Sequence, residues 1–174
     1  MAIIEKELYL HTPKKTTYEI TYQLINKINS NVKNSYYMYV KEHKLLVECF
    51  CGEIEFKDVV ELKKEIEDNL KEVVKFNILV DIQEDISTLS IEKLDKFIQF
   101  YQNLEFSSKI GRMAVVTSTP TQVVRTMLFI DALKENNTPI KVFSSVKSAL
   151  DWLNTGIDLN RVKSILENFK TPVC

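Results

Sequence analysis

Glycine is nearly absent from this sequence: three occur in 174 residues, Gly52, Gly111 and Gly156, and they stand far apart. The Gly-rich phosphate loops GxGxxG and GxxxxGK[ST] need glycines within about six residues of one another, so both are excluded, and with them the commonest nucleotide enzymes. Histidine and cysteine are also scarce. His11 and His43 with Cys49, Cys51 and Cys174 include no CxxC pair, which argues against a structural zinc site. No run approaches the ~18 apolar residues of a membrane span. Glu5 and Lys6 follow Met1-Ala2-Ile3-Ile4 directly, where a signal peptide would carry its apolar core. An excess of one charge is missing too: 23 basic and 24 acidic side chains leave a net charge of -1, so neither the basic stripe of a nucleic-acid binder nor an acidic tail is present. These absences lead us to expect a cytoplasmic protein with reduced thiols, no nucleic-acid partner, no membrane span, no cofactor or metal, and no catalytic motif.

What is present is ordinary globular material. Apolar residues make up 45% and charged residues 27%, enough to bury a core. The length fits one domain, or one domain with a small appendage.

Residues 1–35 read two ways. Tyr18, Ile20, Tyr22 and Leu24 alternate like a strand, while Tyr18, Tyr22, Ile25 and Ile28 fit a helix; we favour a helix capped near Thr17. From Tyr36 the pattern sharpens. Tyr36–Val40 and Leu45–Phe50 are β-rich runs joined by the polar Lys41-Glu42-His43-Lys44, which predicts a hairpin. Val59, Leu62, Ile66, Leu70 and Val73 recur at helical spacing, with the intervening charges expected on a solvated face. Phe76–Ile82 is nearly all apolar, as befits a parallel strand in mid-sheet.

Ser90 is a suitable N-cap for the helical stripe Ile91, Leu94, Phe97, Ile98, Tyr101 and Leu104. Arg112–Thr117 reads as a second buried strand. Thr119-Pro120 then caps a helix whose core face is expected at Val123, Val124, Met127, Leu128 and Leu133. Ile140–Phe143 is a third parallel strand, followed by helices from Ser145 and from Asp158. The fold class is therefore α/β: a mostly parallel sheet with an opening β-hairpin and helices on both faces.

This order of elements, with Gly52-Glu53-Ile54 ending the second strand, Asn77-Ile78-Leu79-Val80-Asp81-Ile82, Arg112-Met113-Ala114-Val115-Val116-Thr117, and Val142-Phe143 followed by Ala149-Leu150-Asp151-Trp152-Leu153, resembles the STAS-like family, and more closely its SpoIIAA-like branch. The resemblance spans residues 36–156, with residues 1–35 as an N-terminal extension and 157–174 as a C-terminal helix and tail. It implies a non-catalytic module that binds a protein partner, with a carrier of a small apolar or anionic ligand as the rival reading. In the family's anti-sigma-factor antagonists, a serine after the central strand is phosphorylated within Asp-Ser-Ser/Thr-Gly. Here the segment reads Asp81-Ile82-Gln83-Glu84-Asp85-Ile86-Ser87-Thr88-Leu89-Ser90, which has hydroxyls but lacks both the Asp-Ser pair and the glycine. Ser87 is the candidate phospho-acceptor, with a turn residue as the alternative.

Parallel sheets bind ligands beyond the carboxyl ends of their strands, where helix N-termini present unpaired N–H groups. That rule selects Ser87, Ser90, Thr117, Ser118, Thr119 and Ser144 as the candidate partner- or ligand-binding edge, with Arg125 supplying positive charge; helix capping alone is the competing explanation. Asp81, Glu84 and Asp85 share this edge, where carboxylates could hold Mg²⁺ as in receiver domains, but Cys51-Gly52 and Ser144-Ser145 stand where a receiver needs an acidic pair and a lysine, so solvated loop charge is expected. Tyr36, Tyr37, Tyr39 and Phe50 crowd the hairpin, where they can pack across strands, line a pocket or form a homodimer surface. Trp152 lies off the apolar stripe of its helix and is expected to be half-buried over the sheet margin or a partner. Cys49 and Cys51 point to one side of their strand, either as small buried residues or as a thiol pair.

Overall fold

In the computed structural model, residues 34–87, 91–134 and 138–170 are described. The chain divides into units of residues 1–30 and 31–174, and the first lies outside the described residues together with the helix expected there. The second unit is a five-stranded sheet in the order β1-β2-β3-β4-β5. The strands are β1 (Ser35–Val40), β2 (Leu45–Gly52), β3 (Phe76–Asp85), β4 (Ile110–Val116) and β5 (Ile140–Phe143). β1 is antiparallel to β2 and every other pairing is parallel, with β3 at the centre, as the apolar run from Phe76 predicts.

A sheet laid down in sequential order with right-handed crossovers must carry all its crossover helices on one face. Those helices are α1 (Phe56–Asn69), α2 (Ile91–Gln102) and α3 (Pro120–Ala132). They enclose one core with Leu46, Phe50, Ile78, Val80, Met113 and Val115. The opposite face is covered by α4 (Val146–Leu153), which packs on β3, β4 and β5, and by α5 (Leu159–Lys170), which packs on β2 and α4. Val162, Ile165, Leu166 and Phe169 of α5 are buried, so the terminal helix belongs to the same compact unit. The hairpin rings are drawn into the body: Tyr36 stacks on Phe169 at 5.6 Å, and Tyr39 meets Phe76 edge-on at 6.1 Å. Trp152 is half-buried beside β5, 5.6 Å from Phe143 and flanked by the Arg112 and Lys141 cations.

Three local features differ from the sequence expectations. β3 continues through Asp85, so Glu84 and Asp85 are strand residues, and the acidic side chains are ion-paired: Asp81 and Glu84 with Lys170, Asp85 with Arg125. In α1, Lys63 is buried although it was expected on the solvated face, since it stands four residues after Val59 and three before Ile66 on the inward stripe.

The third difference is the rotation of α3. Of its expected core face only Leu133 is buried, while Val124, Met127 and Leu128 are 58%, 54% and 48% exposed. Gln122, Thr126 and Phe129 face inward instead. The cause is hydrogen bonding: the Gln122 amide reaches carbonyls at the end of β3, and buried polar groups must be satisfied before apolar area is maximised.

Thr119 closes the start of α3 reciprocally, its Oγ1 accepting from the Gln122 N–H at 3.3 Å while the Gln122 Oε1 accepts from the Thr119 N–H at 3.1 Å. Replacing Thr119 by Ala should lower stability by ~1 kcal/mol. In urea unfolding this appears as an earlier midpoint with an unchanged slope; an unmoved midpoint would remove the cap from the account.

Candidate ligand-binding cavity

The carboxyl edge of the sheet gathers the expected hydroxyls, and most of them are engaged within the chain. Ser87 Oγ accepts from the Ile54 N–H at 2.7 Å, and the Ser87 N–H donates to Asp85 Oδ1 at 2.8 Å. Thr117 is buried, its N–H donating to the Phe143 carbonyl at 2.9 Å. Ser118 donates its hydroxyl to the Gln83 carbonyl at 2.7 Å and its N–H to Gln122 Oε1 at 2.7 Å. Thr119 is the N-cap just described. Ser144 is exposed after β5, and Ser90 lies outside the described residues.

Gln122 is the residue that sequence reasoning missed here. It is 2% exposed, takes two N–H groups at the start of α3 onto its oxygen, and donates its nitrogen to Ile82 O at 2.6 Å and Asp85 O at 2.9 Å. Its side chain occupies the position at which an anion would meet this helix end. Arg125 turns back onto β3, donating to Asp85 Oδ2 at 2.8 Å and to the Ser87 carbonyl at 2.7 Å.

Beneath this edge, between the sheet and helices α1, α2 and α3, lies a cavity of about 140 Å³. Its wall is largely apolar, with Phe50, Val59, Val80, Phe97, Met113 and Phe129 among its residues, and Ser87 and Arg125 also line it. The rings of Phe97 and Tyr101 each meet Phe129, at 5.3 and 5.2 Å, which fixes α2 against α3 along the wall.

Besides Glu55, Asp85, Ser87, Arg125 and Thr126, two buried polar features interrupt this surface. The first is an ion pair between Glu48 of β2 and Lys63 of α1, 0% and 3% exposed, in which Lys63 Nζ donates to both carboxylate oxygens at 2.6 and 2.7 Å. The ammonium also sits 5.7 Å from the Tyr101 ring centroid and 6.0 Å from that of Phe106, so aromatic faces replace part of its lost hydration. The sequence signal was a glutamate in the middle of the apolar strand Leu45–Phe50.

The second is the Tyr101 hydroxyl, which is buried and has no hydrogen-bond partner among the described residues. Burial, and after it the Glu48 carboxylate, push its pKa well above the usual phenol range, so it remains a protonated donor. An unpaired buried hydroxyl costs about 1–3 kcal/mol, which a ligand carrying an acceptor would relieve.

With this geometry in view, the comparisons with known proteins are direct. The SpoIIAA-like family model matches residues 47–154. The chain belongs to the SpoIIAA-like family. The matched span runs from β2 to the end of α4, so the SpoIIAA-like match includes the three helices around the cavity, while β1 and α5 lie outside it. Among solved structures, an uncharacterized protein of the DUF3478 family from Shewanella loihica PV-4, with a SpoIIAA-like fold, aligns at a TM-score of 0.53 and 20% identity, covering 72% of this chain and 98% of its own. That likeness establishes the fold. No curated protein matches the chain.

The buried pair makes a test available. Lys63→Met alone strands the Glu48 carboxylate and should cost ~3–5 kcal/mol, whereas the double variant Glu48→Leu with Lys63→Met should recover most of that loss. Chemical denaturation of the three proteins measures it, and a single variant as stable as the double one would show that the pair is not sealed from water.

Proposed function

We propose that this SpoIIAA-like domain is a non-catalytic binding module whose ligand is a small apolar molecule with one hydrogen-bond acceptor, held in the cavity beneath α1, α2 and α3. The observation that carries this reading is the Tyr101 hydroxyl, which with the Arg125 Nε is a buried donor of the cavity wall that has no partner among the described residues. Size supports it: an apolar cavity of ~150 Å³ takes up one benzene ring, and this one is about 140 Å³. Chemistry supports it too. The fully buried charges of the wall, Glu48 and Lys63, are bonded to each other, which disfavours their use as an acid or base on a substrate.

The protein-partner reading rests on a different observation, the outward apolar face of α3. Val124, Met127 and Leu128 form an exposed stripe that nothing among the described residues covers, whereas the hairpin rings once expected to mediate self-association are turned into the body. This face is the better docking surface. If it joins two copies, sedimentation of the wild-type chain shows a dimer that Val124→Asp with Leu128→Asp abolishes; a dimer that survives in the variant moves the contact elsewhere.

The ligand reading is tested with pyridine, a benzene-sized ring bearing one acceptor nitrogen, titrated into the labelled full-length chain and followed by amide chemical shifts. The expected result is saturable shifts at Phe50, Val80, Met113 and Phe129. Tyr101→Phe should weaken binding about fivefold, the equivalent of the ~1 kcal/mol of a net hydrogen bond. Val59→Phe, which adds volume at a half-buried wall position, should abolish it. Shifts confined to the outer face of α3, or none at all, would refute the reading.

A further inference from the structure

On the sheet face opposite the cavity, β2 carries Cys49 and Cys51. Strand periodicity sends both side chains the same way, and their sulfurs lie 3.4 Å apart. Cys49 is buried and Cys51 is half-buried. The pairing of β2 with β3 is irregular at this step: Cys49 faces Asp81 and Cys51 faces Glu84, so β3 carries one residue more. Around the sulfurs stand Asp81 and Glu84 of β3, Lys170 of α5 and Tyr36 of β1. Lys170 bridges the two carboxylates, 3.4 Å from Asp81 and 3.0 Å from Glu84.

We propose that Cys49 and Cys51 form a redox site that takes a low-molecular-weight disulfide as its oxidant, Cys51 being the attacking thiol and Cys49 the resolving one. The Cys51 thiolate attacks one sulfur of the small disulfide, whose S–S bond breaks. One small thiolate leaves and takes a proton from water, and Cys51 is left in a mixed disulfide. Cys49 then gives up its proton and attacks the Cys51 sulfur, releasing the second small thiol and closing the Cys49–Cys51 bond. Two electrons pass from the cysteines to the oxidant.

Several features assign these roles. Cys51 is the less buried of the two residues. A hydrogen bond from the Cys49 thiol favours the Cys51 thiolate and lowers its pKa against burial and the Glu84 and Asp81 carboxylates, whose effect the Lys170 charge offsets in part. The same bond, followed by burial, pushes the Cys49 thiol up, which suits the partner that reacts second and at short range. Closure is within reach. Residues two apart in a strand have Cα atoms ~6.6 Å apart, less where the strand twists, and disulfides tolerate up to ~6.8 Å.

The test uses the full-length chain with Cys174→Ser, so that the pair holds its only thiols. After exposure to oxidised glutathione the protein is denatured, alkylated and weighed. The proposal expects a product lighter by two hydrogens that takes no alkyl group and regains two sites after dithiothreitol. With Cys49→Ser added, one glutathionyl group should remain on Cys51; with Cys51→Ser added, none should appear over the same period. Reaction order is also read without touching Cys49, by brief alkylation of the native parent and peptide mapping, where Cys51 should be modified first. A parent that still takes two alkyl groups after oxidation, or native alkylation that reaches Cys49 first, would overturn the proposal.

Discussion

A complete ion pair sealed inside an apolar layer is the constraint around which this structure is arranged. Glu48 and Lys63 are withdrawn from water at the point where β2 meets α1. Their attraction offsets that burial only if the geometry is close and the surroundings help. Both conditions hold: two short hydrogen bonds join them, and the rings of Tyr101 and Phe106 lie near the ammonium. The pair joins α1 to β2 with the Tyr101 ring of α2 beside it, and it leaves Tyr101 with a hydroxyl that neither member of the pair satisfies.

The second consequence concerns α3. Beside α1 and α2, the third crossover helix closes the layer with a polar inner face, Gln122 and Thr126, above the ring of Phe129. Gln122 knots the end of β3 to the start of α3, and Arg125 does the same through Asp85 and the Ser87 carbonyl. A helix that turns amide and hydroxyl groups inward must turn aliphatic ones outward, so the exposed stripe at Val124, Met127 and Leu128 follows from the inner network. The same inward polar face thus ties α3 to the end of β3 and leaves an apolar outer surface.

Much of this architecture was legible in the sequence because it rests on periodicity and on punctuation. The apolar run from Phe76 identified the central strand, Thr119-Pro120 the start of α3, and Ile140–Phe143 the last strand to the residue. Gly52 ends β2 with a φ of +73°, a backbone conformation that side chains disfavour, which explains why one of so few glycines stands there. The strand-end rule also placed Ser87, Thr117, Ser118 and Thr119 on one edge. What stayed hidden depends on pairs distant in the chain. Lys63 reads as solvated charge until Glu48 lies beside it, and Val123 to Leu128 reads as a core face until Gln122 finds the β3 carbonyls. The cavity itself is a shortage of side-chain volume among three helices, which no local pattern records.

Xenon enters apolar cavities of this size, and it probes them without any assumption about ligand identity. Diffraction from crystals held under xenon pressure should show a xenon site between β3, β4 and α3, bounded by Val80, Met113 and Phe129. Xenon found only on the outer face of α3, with none between the sheet and the three helices, would contradict the presence of an apolar cavity there.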